Sequence, residues 1–252
     1  MTLEGDHHDG RVSPAGYRKA KRLMLLAQRI GLPLVTLVDT PGARDGIGDE
    51  GRGLAGAISD CLATMSALSV PTVSVVIGEG GSGGALALTI ADRILMQQNA
   101  MYAVTSPEGA ASILFRDRGR APEMAEALGV SAGDLLALRV IDTIVPEPDG
   151  GAHRDPMLAA QLLGAKLRGA LAEAMRGQGA KRRHRRALRV SEVGRRRTTR
   201  HARVAETARL VRVAAEHSAS VLLSHAEDAS KKLGGRLPDQ AAKLRHALLL
   251  WR

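Results

Sequence analysis

Five glycines fall within the seven residues from Gly78 to Gly84, in the run Gly78-Glu79-Gly80-Gly81-Ser82-Gly83-Gly84-Ala85. The run follows an apolar, β-branched stretch and precedes an Ala-rich one, so it reads as a turn from a strand into a helix. Such a turn exposes several backbone N–H groups together at a helix N-terminus, where the dipole also favours negative charge. With no bulk at Gly83, Gly84 and Ala85, a ligand carbonyl can approach until two N–H donors reach a developing oxyanion. Gly80, Gly81 and Ser82 would line the approach. The competing explanation is that the glycines only allow strand and helix to pack closely.

The same residues also match a nucleophile elbow, G-x-S-x-G, through Gly80-Gly81-Ser82-Gly83-Gly84. Ser82 would then attack as a nucleophile, with Asp142 and His153 as the partners that follow in the chain order of an α/β-hydrolase. A lone histidine such as His153 is more often a structural or capping residue than a base. A second turn, Asp39-Thr40-Pro41-Gly42-Ala43, ends another apolar run and places Gly42 and Ala43 at a strand end, where open α/β architectures put their sites. Asp39 reads as a general base or as a turn residue that hydrogen-bonds its own backbone.

These loops need a scaffold, and the pattern supplies one. Helical periodicity runs from Pro14 to Ile30 and stops at Gly31 and Pro33. Leu34–Val38 and Thr72–Ile77 read as buried strands, Leu54–Leu68 as the helix between them, and Ala85–Asp92 as the helix after the glycine run. Ala43–Gly53 reads as a flexible loop. Arg93–Met96, Met101–Val104 and Val140–Val145 are short strand candidates, and Met124–Leu128, Ala132–Leu138 and Pro156–Met175 read as helices. Strands alternating with helices predict an α/β fold with a mostly parallel sheet.

The charge is unevenly placed. Residues 1–180 hold 17 Lys and Arg against 20 Asp and Glu, whereas residues 181–252 hold 19 against 6. The chain therefore divides into a domain over 1–180 and a basic tail over 181–252, in which Lys181–Arg200 reads as a solvated or disordered linker. Val204–Val221 and Gln240–Leu250 have helical spacing. Arg outnumbers Lys by 29 to 7, a compositional bias that makes the basicity weak evidence for a polyanion partner. Aromatics at 2% argue against base-stacking platforms, and so against nucleic acid. One cysteine, Cys61, allows neither an internal disulfide nor a paired-Cys metal site, which favours a reducing, cytoplasmic setting with no metal in this chain. Neither a signal segment nor a membrane span is visible.

Five segments stand in the order and spacing of one family: Gly16-Tyr17-Arg18-Lys19-Ala20, Asp39 to Ala43, Val76 to Ala87, Ser106-Pro107-Glu108-Gly109, and Ile144 to Arg154. From about Arg11 to Gly177 the chain resembles the carboxyltransferase α subunit of bacterial acetyl-CoA carboxylase. The resemblance implies a crotonase/ClpP-like spiral of ββα units. It also implies transfer of a carboxyl group from carboxybiotin to acetyl-CoA, giving malonyl-CoA. By the same resemblance the ureido oxygen of biotin is met by backbone N–H groups of Gly84 and Ala85, Gly83 supplies room, and no protein nucleophile is needed. The implied partners are a β-type subunit bearing a zinc ribbon and most of the CoA site, and a biotin carboxyl carrier protein, in an α2β2 assembly. Arg44-Asp45 stands where the family usually has an aromatic-proline pair, so the lip of the site is expected to differ. A serine hydrolase and a noncatalytic assembly subunit remain the alternatives.

Overall fold

The computed structural model describes residues 8–44 and 46–192. Contacts divide the chain into two units, residues 1–196 and 197–252, and every described residue lies in the first. The helical readings at Val204–Val221 and Gln240–Leu250 lie outside the described residues.

Helix α1 (Pro14–Ile30) begins where the Ser13 hydroxyl accepts the Gly16 N–H and Pro14 supplies a ready-made φ, and it ends at Gly31 in the left-handed conformation. Its residues Tyr17, Ala20, Met24 and Ala27 share one buried stripe. Helix α2 (Ile47–Gly51) is a short turn inside the segment read as a flexible loop. Helix α3 (Leu54–Ala67) buries Leu54, Ala57, Cys61 and Met65 towards α1.

The five strands are β1 (Leu34–Thr40), β2 (Thr72–Gly81), β3 (Arg93–Gln97), β4 (Met101–Ala103) and β5 (Thr143–Val145). They form one parallel sheet in the order β1-β2-β3-β5, with β4 also on β2. β2 is long enough to serve two neighbours: Val73–Val76 pair with β3, and Glu79–Gly81 pair further on with β4. Side chains alternate across it. Val73 and Val75 pack with Leu95 and Val145 under helix α8 (Pro156–Met175), while Val76, Val38 and Met96 join Tyr17, Met24, Cys61 and Met65 on the other face.

Helix α4 (Ser82–Thr89) starts directly at the end of β2, so no loop residue separates strand from helix. The expected start at Ala85 is thus three residues late. α5 (Pro107–Phe115), α6 (Ala121–Leu128) and α7 (Ala132–Ala137) follow β4, each beginning close to a proline or a capping serine.

One reading fails plainly. Residues 181–192, expected as a solvated linker, belong to helix α9 (Gly179–Glu192), which lies within the first unit and packs against α3, chiefly through three arginines. Arg182, Arg186 and Arg189 share one helix face at i, i+4 and i+7. Arg182 donates to the Ser69 carbonyl from Nε at 3.0 Å and Nη2 at 2.8 Å. Arg186, only 2% exposed, donates to the carbonyls of Met65, Ser66 and Leu68, to Thr72 Oγ1, and to Asp92 Oδ1 at 2.9 Å. Arg189 reaches Asp142 Oδ2 at 2.6 Å and the Val140 carbonyl at 2.8 Å. The Met65 and Ser66 carbonyls are among those that α3 leaves without partners at its C-terminus, where a cation also suits the dipole. The pattern therefore has a physical reason: the inward face of α9 is built from guanidinium forks in place of apolar side chains.

Cys61 is fully buried, and its thiol donates to the Tyr17 carbonyl at 3.0 Å. Burial pushes that thiol above its ordinary range, which keeps the reactive thiolate scarce. No described helix is long and apolar enough to cross a membrane, and no described group of three or more His, Cys, Asp or Glu is placed to hold a metal.

Candidate functional site

The ends of β1 and β2 lie side by side, and the two loops singled out in the sequence cross there. Their register shifts between Val38 and Thr40, where Asp39 turns out of the ladder. Asp39 Oδ1 accepts the Glu79 N–H at 2.9 Å, so it bridges to the next strand; the reading of a self-bonding turn is corrected. Thr40 makes the turn instead. Its Oγ1 accepts the Gly42 N–H at 3.1 Å and lies 2.7 Å from the Gly10 carbonyl, to which it can donate.

Four of the five glycines are explained by close packing. A Cβ at Gly78 would strike the Asp39 carboxylate, one at Gly80 the Tyr102 ring at 2.7 Å, and one at Gly81 the Pro41 carbonyl. At Gly84 it would lie 2.5 Å from Tyr17 Oη, 2.7 Å from Ala43 N and 2.9 Å from the Gly42 carbonyl carbon. Real Cβ atoms need more room, so the crossing exists only because these positions lack one. Gly83 differs, with nothing within 4 Å of its missing side chain. The packing explanation for the glycines therefore accounts for more of them than expected, and Gly83 is the position left open.

What the crossing presents is the first turn of α4. The amides of Ser82, Gly83 and Gly84 have no acceptor within a helix that starts at Ser82, whereas the Ala85 N–H, expected as a donor to the ligand, makes the first intrahelical bond to the Gly81 carbonyl. Gly81, at the N-cap, supplies no side-chain acceptor either. Ser82 is exposed, Gly83 half-buried, and Gly84 and Ala85 buried. The chain makes this sharp entry by placing Ser82 at φ 56, a conformation that costs a non-glycine residue energy and is found where geometry is imposed by the surroundings. Uncapped amides and the positive end of the dipole make this a site for an anion or a carbonyl that gains charge.

The lip of the site is the second loop. Val12 donates to the Gly42 carbonyl at 3.1 Å and accepts from the Arg44 N–H at 3.0 Å. Ala43 thus pairs with Val12, and its N–H turns the other way, towards Gly84. Arg44 is anchored by a 3.2 Å ion pair to Asp49, at the start of α2.

Glu79 stands beside this crossing, and burial together with the nearby Asp39 carboxylate raises its pKa against the opposing pull of Arg11. A raised pKa contributes stability that is present below the unfolded value and lost as pH rises through the folded one. Glu79→Gln is therefore expected to gain thermal stability over the wild type as pH rises from 4 to 7, read as a widening difference between their melting temperatures.

The elbow geometry of Ser82 is present without the partners that a hydrolase needs. Asp142 Oδ2 is taken by the Ile94 N–H at 2.7 Å and by Arg189. The ring of His153 lies against Gly151, and its charge acts on Glu147, whose carboxylate also accepts the amides of Asn99 and Ala152. Burial alone would raise the Glu147 pKa; those hydrogen bonds and His153 outweigh it and hold it below the usual range. Asp142 directly precedes β5 and His153 follows it, and β5 lies at the end of the sheet order opposite β1. Sequence reasoning missed Tyr17 and Thr40 as parts of the site. The signal for each was its place in a segment shared with the resembled family, Gly16-Tyr17-Arg18-Lys19-Ala20 for Tyr17 and Asp39 to Ala43 for Thr40.

Residues 4–194 match the family described as acetyl co-enzyme A carboxylase carboxyltransferase-like. The chain belongs to that carboxyltransferase-like family. Among its relatives, the acetyl-coenzyme A carboxylase carboxyl transferase subunit alpha of Methylobacterium nodulans is 54% identical over 197 residues, covering 75% of this chain and 60% of the relative. A protein of Parafrankia described as subunits beta/alpha is 56% identical over 164 residues, 65% of this chain but 27% of that protein. This carboxyltransferase-like chain thus spans 60% or less of the length of either relative. Among solved structures, transcarboxylase 12S with methylmalonyl-coenzyme A and methylmalonic acid bound superposes with a TM-score of 0.53 at 26% identity, over 57% of this chain and 30% of that one. The fold is accordingly the crotonase-like α/β spiral of the carboxyltransferases.

Proposed function

We propose that this chain is the α-type half of a carboxyltransferase that moves a carboxyl group from carboxybiotin on a biotin carboxyl carrier protein to acetyl-CoA, giving malonyl-CoA for fatty acid synthesis. The observation that carries the reading is the uncapped first turn of α4, open at Gly83 and walled by Gly42 and Ala43, in a chain of this family. The residues fit biotin chemistry, because a ureido oxygen needs N–H donors and a cleft without side chains in its way. Carboxybiotin, when bound, supplies a carboxyl whose departure leaves negative charge on that oxygen. The part of this chain is to meet that charge with the open amides of Gly83 and Gly84, with the small residues Gly83 and Ala85 leaving room and Gly80, Gly81 and Ser82 shaping the approach. Preorganised donors of this kind contribute on the order of 10²- to 10³-fold each to rate.

The remainder of the site is assigned to a β-type subunit that carries the zinc ribbon and most of the CoA contacts, in an α2β2 assembly. The Parafrankia relative, described as both subunits, supports pairing with a β-type partner. The cytoplasm is the proposed setting, in keeping with a buried cysteine held as the thiol. The test is malonyl-CoA-dependent carboxylation of free biotin by this chain mixed with a β-type partner. Turnover that requires both chains is expected. A folded, assembled complex without turnover would favour a noncatalytic assembly role.

A further inference from the structure

Tyr17 is fully buried, and its hydroxyl has no hydrogen-bond partner among the described residues. Burial pushes that hydroxyl far above its ordinary pKa, so it stays protonated and can both donate and accept. A phenylalanine would fill the same space without leaving a buried polar group unsatisfied, which is a destabilising defect. The position of the orphan atom is informative. It points from α1 into the crossing, facing the Ala43 N–H across the space that one methyl group on Gly84 would fill. That amide is turned away from its neighbour Val12 and towards the same space. One unused acceptor and one amide thus converge beside the first turn of α4.

We propose that Tyr17 is the positioning residue of the site: its hydroxyl accepts the Ala43 N–H as the Pro41–Ala43 lip closes, fixing that lip against Gly84 and the α4 amides. Tyr17 does not touch the reacting atoms; it acts through Ala43 and Gly84. The hydroxyl contributes little to the folded state without this bond and sets the donor geometry with it. Misplacement of a positioned group by about 1 Å costs on the order of 10²-fold in rate, and loss of one of several restraints costs less.

This inference rests on the carboxyltransferase reading for its kinetic readout, so the test has a second one. Tyr17→Phe removes only the hydroxyl. In the full chain with a β-type partner, Tyr17→Phe is expected to lower kcat for malonyl-CoA-dependent biotin carboxylation on the order of 10-fold. KM for malonyl-CoA should not change, and the melting temperature should stay level or rise. A purely structural tyrosine would move the melting temperature and leave kcat alone. Independently, amide hydrogen exchange at Ala43, measured on the full chain with free biotin added, should be several-fold faster in Tyr17→Phe than in the wild type. If both kcat and Ala43 exchange match the wild type within twofold, the inference is overturned. If the wild-type complex has no turnover, the functional reading falls and Ala43 exchange alone decides the role of Tyr17: faster exchange in the variant supports it, and equal exchange overturns it.

Discussion

Gly81→Ala is expected to abolish carboxyl transfer, and Gly83→Ala to impair it severely by a different route. At Gly81 the added methyl overlaps the Pro41 carbonyl, a backbone atom that no side-chain rotation can move aside. The two loops must separate, and with them the lip and the α4 amides; displacement of this kind costs about 10²-fold or more. Stability should fall as well, because the crossing joins β1 to β2. At Gly83 nothing lies within 4 Å, so the methyl meets no protein atom and projects into the open side of the site. A helical Gly→Ala exchange at a compatible position stabilises by about 0.4–1 kcal/mol. Gly83→Ala should therefore melt no lower than the wild type while kcat/KM falls at least about 10-fold, since less than the full misplacement penalty is at stake. Melting curves and exchange kinetics on the two variants separate these cases: lost stability with lost rate at Gly81, and lost rate alone at Gly83.

The second large effect concerns stability far from the chemistry. Arg186→Met removes a fork that holds three carbonyls around the end of α3 and the carboxylate of Asp92, and it leaves Asp92 buried without its cation. Breaking a buried pair from one side costs about 3–5 kcal/mol. At about 2–4 °C per kcal/mol for a domain of this size, the melting temperature should fall on the order of 10 °C. Arg186→Lys should recover little, because a point charge cannot serve several acceptors spread in a plane. Adding Asp92→Asn to Arg186→Met should restore part of the loss. Thr72, where Arg186 acts, begins β2, and Gly81 ends it, roughly 30 Å away at the usual strand rise. Activity at a temperature where Arg186→Met is folded should therefore stay within about threefold of the wild type, which a coupling penalty of well under 1 kcal/mol would allow. A melting temperature within 2 °C of the wild type, roughly what a surface exchange produces, would show the arginine row to be incidental.

These two sites also show what the sequence can reveal. Leu34–Val38 and Thr72–Ile77 are legible as strands because both are β-branched and apolar, but only Thr72–Val76 is buried throughout: β1 ends the sheet order, and its Val35 and Leu37 are exposed, which corrects the reading of that strand as buried. α1 was legible from its stripe and its stops. Both loops read as strand ends, where such sites sit, but which glycine packs and which stays open depends on the atoms opposite. Tyr102 and Asp39 reach Gly80 and Gly78 through register that no local pattern encodes. α9 was illegible for another reason. Helical periodicity is carried by apolar residues on the inward face, and here the inward positions are Arg182, Arg186 and Arg189, whose partners lie far back in the chain: carbonyls from Met65 to Ser69 at the end of α3 and just beyond it, and Asp142 and Val140 ahead of β5. A dense arginine run resembles a solvated segment until those acceptors are placed beside it. Ser82 was legible as an elbow residue, and its positive φ agrees. The role that motif suggests depends on Asp142 and His153, which the fold commits to Ile94, Arg189 and Glu147 instead.

In the proposed function, backbone amides at the start of α4, and not the Ser82 side chain, carry the chemistry. Ser82→Gly tests it most directly, because glycine accepts the φ of 56 at this position and removes only the hydroxymethyl group. With a β-type partner, the variant should carboxylate free biotin from malonyl-CoA within about threefold of the wild-type rate, since every amide donor remains in place. A fall on the order of 10⁴-fold or more, as expected for loss of a nucleophile, would contradict the account.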